Sequence, residues 1–119
     1  MVSSITLKNL IIGYRSKHQL RAIASPVHAS LQAGDLTCLI GANGVGKSTL
    51  LRTLAGFQPA LDGEILILDK SLSDFSAQEL AREISIVLTS KTDHAQLSAE
   101  EIVGIGRSPY TGSWWYSAW

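Results

Sequence analysis

Residues 38 to 56, CLIGANGVGKSTLLRTLAG, constrain the fold of this chain more than any other stretch. The apolar run Leu36 to Ile40 ends at Gly41, and a run with Leu50, Leu51 and Leu54 on one helical face begins just beyond Lys47. Between them lie small residues and three glycines, Gly41, Gly44 and Gly46. A strand must therefore turn straight into a helix, and the helix is expected to close at Gly56 and Pro59, where glycine and proline suit a C-terminus.

Gly41-Ala42-Asn43-Gly44-Val45-Gly46-Lys47-Ser48 fits G-x-x-x-x-G-K-[ST], the phosphate-binding P-loop. Each position has a physical reason. Small residues let the backbone N–H groups of Asn43, Gly44, Val45 and Gly46 turn inward around a phosphate, and the helix N-terminus adds partial positive charge. Lys47 can reach the β and γ oxygens and neutralise charge developing on a transferred phosphoryl group, so it is the catalytic candidate. Ser48 supplies a hydroxyl for Mg2+, and Thr49 completes the binding set. The segment is built to hold a nucleoside triphosphate.

Upstream, Ile5, Leu7, Leu10, Ile12 and Tyr14 alternate with polar or small residues, with a phase slip at Lys8-Asn9 that predicts a bulged or bent strand. Val27 to Leu31 and Leu36 to Ile40 read as two strands of a hairpin about the Gly34-Asp35 turn, ending in the glycine loop. Downstream, Asp62-Gly63 is expected to turn the chain into a strand over Glu64 to Leu68. Ser76 with Glu79 and Ser98 with Glu101 are capping boxes that predict two helix starts, and Ile84 to Leu88 between them reads as a buried strand.

The 119 residues suffice for one modest domain, since a chain of this size buries roughly two-thirds of its unfolded surface. Apolar residues make up 45% and charged ones only 17%, which argues against disorder and for some surface being covered. Ten basic residues balance ten acidic ones without blocks, so a nucleic-acid partner is not expected. Cys38, inside an apolar run, reads as a buried small hydrophobe of a cytosolic protein. The N-terminal residues show no charged region ahead of an apolar one, and no apolar run approaches the ~18 residues of a spanning helix. The expectation is a cytoplasmic chain whose membrane contact goes through a partner.

GANGVGKSTLLRTLAG followed by PALDGEILI, with QAGDLTCLIG before it and SAQELAREISIVL after it, closely resembles the ATP-binding subunit of ABC transporters over nearly the whole chain. The resemblance implies an α/β fold: the N-terminal part of a P-loop NTPase core with an antiparallel β-subdomain, and with the helical subdomain and C-terminal core strands missing from residues 1–119. In that family an aromatic at the end of the first strand stacks on adenine, and Tyr14 stands in its place. The family's glutamine near Mg2+ and the attacking water corresponds to Thr89, followed by Ser90 and Lys91; a hydroxyl can ligate magnesium but is shorter. Gln96, further on, reads as an exposed loop residue. LSAEEIVGIGRSPYTG is similar to the iron-siderophore, haem and cobalamin importer branch through Gly106, Arg107 and Pro109, although a helix closed by Gly106 and stopped by Pro109 explains these residues equally well.

The implied partners are membrane-spanning permease subunits and a second ATP-binding subunit, with the protein peripheral on the inner face of the cell membrane. Hydrolysis in this family needs a carboxylate pair after a second buried strand, a downstream histidine and a Leu-Ser-Gly-Gly signature, none of which occurs in these residues. His18, His28 and His94 read as surface or strand-face residues. A non-catalytic nucleotide-binding fragment is therefore one alternative. Another is a compact P-loop kinase of a small metabolite, because Ile65-Leu66-Ile67-Leu68-Asp69 has the form of a Walker B strand with Asp69 near magnesium. The family alignment instead puts Asp69 in a turn. The aromatic run from Trp114 to Trp119 fits either a membrane partner or a cut through the chain.

Overall fold

A computed structural model describes residues 2–89 and 96–111 and divides into two compact units, Met1–Phe75 and Ser76–Trp119. The first is built on β1 (Ser3–Ile11), which pairs antiparallel with β4 (Val27–Gln32) on one edge and with β5 (Asp62–Ile67) on the other. The short β6 (Lys70–Ser71) folds back on β5, giving the order β4-β1-β5-β6. Leu7, Leu10, Ile12, Ile65 and Ile67 are buried and form its core.

The phase slip at Lys8-Asn9 is a bulge. Register shifts fall between Leu7 and Leu10 against β4 and between Lys8 and Ile11 against β5, and Asn9 takes a left-handed φ of 47°. The irregularity lets Leu7 and Leu10, three apart, both point inward, which strict alternation forbids. Gly63 passes directly over it: with φ 83° and a would-be Cβ driven into the Asn9 carbonyl, only glycine fits. Asp62-Gly63 is thus the first pair of β5 rather than a separate turn.

The turn after β5 is Leu68-Asp69, with φ 47° and 64°, the two left-handed residues of a two-residue hairpin. Asp69 is exposed at its tip. This agrees with the turn implied by the family alignment and corrects the Walker B alternative, since the strand before Asp69 is antiparallel and ends in a hairpin.

Three further expectations are corrected. The first strand does not run through Tyr14: it breaks at Ile12, and Gly13–Arg15 (β2) pairs with Leu20–Ala22 (β3) as a separate antiparallel hairpin. Leu36 to Ile40 is not a strand; Leu36 and Ile40 are 94% and 90% exposed, and Cys38 is exposed rather than buried. Backbone N–H and C=O groups that meet no neighbouring strand have no ladder to join.

The helix α1 (Lys47–Leu54) closes as its sequence predicts. Gly56 is left-handed at φ 77°, its N–H donates to Thr53 O at 3.2 Å, and the Phe57 N–H donates to Arg52 O at 2.9 Å, the two bonds of a Schellman motif. Its buried side is not the leucine stripe but Thr49 and Thr53, the latter bonded back to Thr49 O at 2.7 Å; Leu51 is half exposed.

In the second unit, α2 (Ala77–Glu83) and α3 (Ala99–Ile105) both begin with complete capping boxes. Gly106 caps α3, but Pro109 does not follow a stop: it lies in the first turn of the short helix α4 (Ser108–Thr111), where proline is tolerated. Gln78 Nε2 and Arg82 Nε donate to Pro109 O at 3.0 and 2.7 Å, and the Arg82 guanidinium lies 5.5 Å from the Tyr110 ring centre. Ile84 to Leu88 is neither strand nor buried, with Val87 97% exposed. His18, His28 and Gln96 are exposed as expected, whereas Ser90, Lys91, His94 and the run Trp114 to Trp119 lie outside the described residues. Among the described residues no helix is long and apolar enough to cross a membrane.

Candidate nucleotide site

The glycine loop ends on Gly46, whose φ of 111° no L side chain adopts easily and which serves as the N-cap of α1. A Cβ built on it would lie 2.8 Å from Ile23 Cγ2, so the loop backbone comes close to the residue that follows β3. The first helical bond is Leu50 N–H to Gly46 O at 2.9 Å. The N–H groups of Lys47, Ser48 and Thr49 therefore have no intrahelical acceptor and remain available to an anion at the helix start.

Lys47 is the first residue of α1, and its ammonium arches back over the loop to donate to Gly41 O and, at 2.7 Å, to Ala42 O. The Val45 N–H donates to Ala42 O at 3.3 Å and tightens the turn. Tyr14, half exposed on β2, places its hydroxyl 3.1 Å from Oγ1 of the buried Thr49, which links the aromatic ring to the first turn of α1.

Tyr14, Asn43, Gly44, Gly46, Lys47, Ser48 and Thr49 line one cavity of about 500 Å³, within the usual range for small-molecule sites. Gly41 and Val45 belong to the loop without lining the cavity. Thr89 belongs to the second unit and is exposed.

The donors suit a magnesium ion that arrives with phosphates rather than one held by protein alone. Ser48 offers one exposed hydroxyl, and among the described residues no group of three or more His, Cys, Asp or Glu could hold a metal. Mg2+ bound to a nucleotide keeps phosphate oxygens and waters and needs only one or two protein ligands.

Sequence reasoning missed three lining residues, Arg21, Ala22 and Ile23. Their signal was the short β2–β3 hairpin, which pairs Tyr14 directly with Arg21 across a turn at Ser16-Lys17-His18-Gln19.

Comparison with known proteins finds relatives over most of the chain. The chain is 37% identical over 92 residues to a hemin import ATP-binding protein of Streptomyces coelicolor, covering 77% of this chain and 33% of that one. It is 30% identical over 118 residues to a "Probable siderophore transport system ATP-binding protein" of Bacillus subtilis, covering 99% of this chain and 41% of that one. Among solved structures, a bacterial Atm1-family ABC exporter with ATP bound superposes with a TM-score of 0.58 at 29% identity, over 66% of this chain and 13% of the exporter. The chain thus spans about one third to two fifths of the length of the curated relatives it matches. The family model for ABC transporters matches residues 24–118, and the chain belongs to that family.

Proposed function

We propose that this chain binds Mg2+-ATP in the cavity between Tyr14 and the glycine loop, and that the complete protein hydrolyses ATP to drive an importer. The observation that carries the reading is the meeting of an aromatic platform, a left-handed helix-start glycine, a lysine and a magnesium-competent hydroxyl in one cavity. Tyr14 would stack on the adenine, while the loop and the N-terminus of α1 hold the phosphates. Lys47 would exchange its carbonyl partners for phosphate oxygens and neutralise their charge. Ser48 would hold the Mg2+, which would supply charge neutralisation to the phosphates when bound.

The relatives named for hemin import and siderophore transport support an iron-chelate or haem cargo. In that role the protein would sit on the inner face of the cell membrane through membrane-spanning permease subunits and pair with a second ATP-binding subunit. A nucleotide-binding chain without turnover is the second reading for residues 1–119, favoured by the absence of any carboxylate from the cavity lining among the described residues. The kinase alternative lacks its carboxylate at the site, since Asp69 is a hairpin-tip residue outside that lining.

The test is calorimetric titration of the chain with Mg2+-ATP. Lys47→Ala is expected to weaken binding by at least about tenfold, the loss of a charge-assisted contact to phosphate. Unchanged affinity would sink the site assignment. Binding without phosphate release favours the non-catalytic reading for this chain.

A further inference from the structure

We infer that Arg21 is a second cation for the polyphosphate of the bound nucleotide, a role that rests on the nucleotide reading of the cavity. Arg21 is the direct register partner of Tyr14 across β2 and β3, and directly opposed residues present their side chains on the same face of a hairpin. Both line the cavity. Ile23, two residues further along, approaches the backbone of Gly46 at the start of α1. Residues two apart in extended chain share a face at a spacing of about 6.8 Å, so Arg21 stands one such step back from the glycine loop, on the side of Tyr14. A long guanidinium stem rooted between the base platform and the phosphate loop reaches the stretch where the phosphates leave the ribose.

Charge points the same way. Among the described residues, Lys47 and Arg21 are the cations of the lining, and no Asp or Glu belongs to it. The Lys47 ammonium is held by two carbonyls of its own loop. The Arg21 guanidinium has no hydrogen-bond or ion-pair partner among the described residues. A planar fork of N–H donors left unpaired at the edge of an acid-free cavity matches phosphate oxygens better than a neutral base or sugar does.

The experiment titrates the wild-type chain, Arg21→Gln, Arg21→Lys and Lys47→Ala with ATP, ADP, AMP and adenosine at low and high salt. Circular dichroism confirms that the exposed substitutions leave the fold intact. Arg21→Gln is expected to weaken ATP binding about fivefold at low salt, with a smaller loss at high salt and none for adenosine. Arg21→Lys retains most of the affinity. ATP binding that Lys47→Ala weakens but Arg21→Gln leaves untouched overturns the role of Arg21 alone, as does a loss for adenosine equal to that for ATP. A wild-type chain that binds no ATP at all overturns the nucleotide reading together with this inference.

Discussion

Gly46 carries two constraints at once. Its φ of 111° is left-handed, a conformation that costs an L residue roughly 1–2 kcal/mol, and its missing Cβ leaves room for Ile23. Gly44 shares the first constraint, at φ 82°, but a Cβ there would meet nothing within 4 Å. The two glycines can therefore be told apart by experiment. Gly44→Ala is expected to lower unfolding stability by about 1 kcal/mol and Gly46→Ala by about 2 kcal/mol or more, because Ile23 must also move. Urea denaturation followed by circular dichroism measures both, and equal losses would show that Ile23 yields freely. The loop residues could be named from sequence because phosphate recognition by a P-loop is local: the spacing of Gly41, Gly46, Lys47 and Ser48 carries the geometry. Arg21 could not, because its place beside the site depends on a hairpin partner, Tyr14, seven residues away and on a strand break at Ile12 that no single residue announces.

The same division runs through the elements. Both capping boxes and the Schellman end of α1 were legible because every atom involved lies within six residues of chain. Leu36 to Ile40 and Ile84 to Leu88 are not strands although their sequence suggests it, because an apolar run states only that a strand would be favourable with neighbours, and among the described residues none pairs with them. The cap of α3 has a pH signature. The Ser98 N–H donates to the Glu101 carboxylate at 2.7 Å and, with the Ser98 side chain, holds the Glu101 carboxyl below its ordinary value. The folded helix thus favours the charged form, so the contribution is fully present above the unfolded carboxylate pKa and is lost as pH falls through the lowered folded one. In an NMR titration the Glu101 carboxyl carbon should shift at lower pH than that of a peptide glutamate. Ser98→Ala, which removes the hydroxyl but keeps the backbone N–H, should move it only part of the way back toward the ordinary range, whereas a wild-type Glu101 titrating like the peptide would show that the box does not hold in solution.

On the scale of the whole molecule, the antiparallel sheet supplies its own partners and the segments before α1 and after α2 do not. β1 is hydrogen-bonded on both edges, and its inward residues Leu7 and Leu10 are buried, so opening it means breaking both ladders and exposing a core. Leu36, Ile40 and Val87 stand at 94%, 90% and 97% exposure, with apolar side chains in water and no backbone ladder. The relatives are more than twice as long, and a longer chain has further residues with which such segments can pair. Native-state hydrogen exchange of residues 1–119 should therefore be sharply uneven. Amides of β1 that face β4 and β5 should exchange slowest. Those of Leu36 to Ile40 and Ile84 to Leu88 should exchange within about tenfold of an unstructured peptide, since no closed state protects them. Saturating Mg2+-ATP should slow the loop amides from Asn43 to Thr49, which acquire phosphate acceptors, and leave Ile84 to Leu88 fast. Protection of Leu36 to Ile40 equal to that of β1 would mean that a neighbouring strand has formed there, and protection that grows with protein concentration would identify that strand as part of a second copy of the chain.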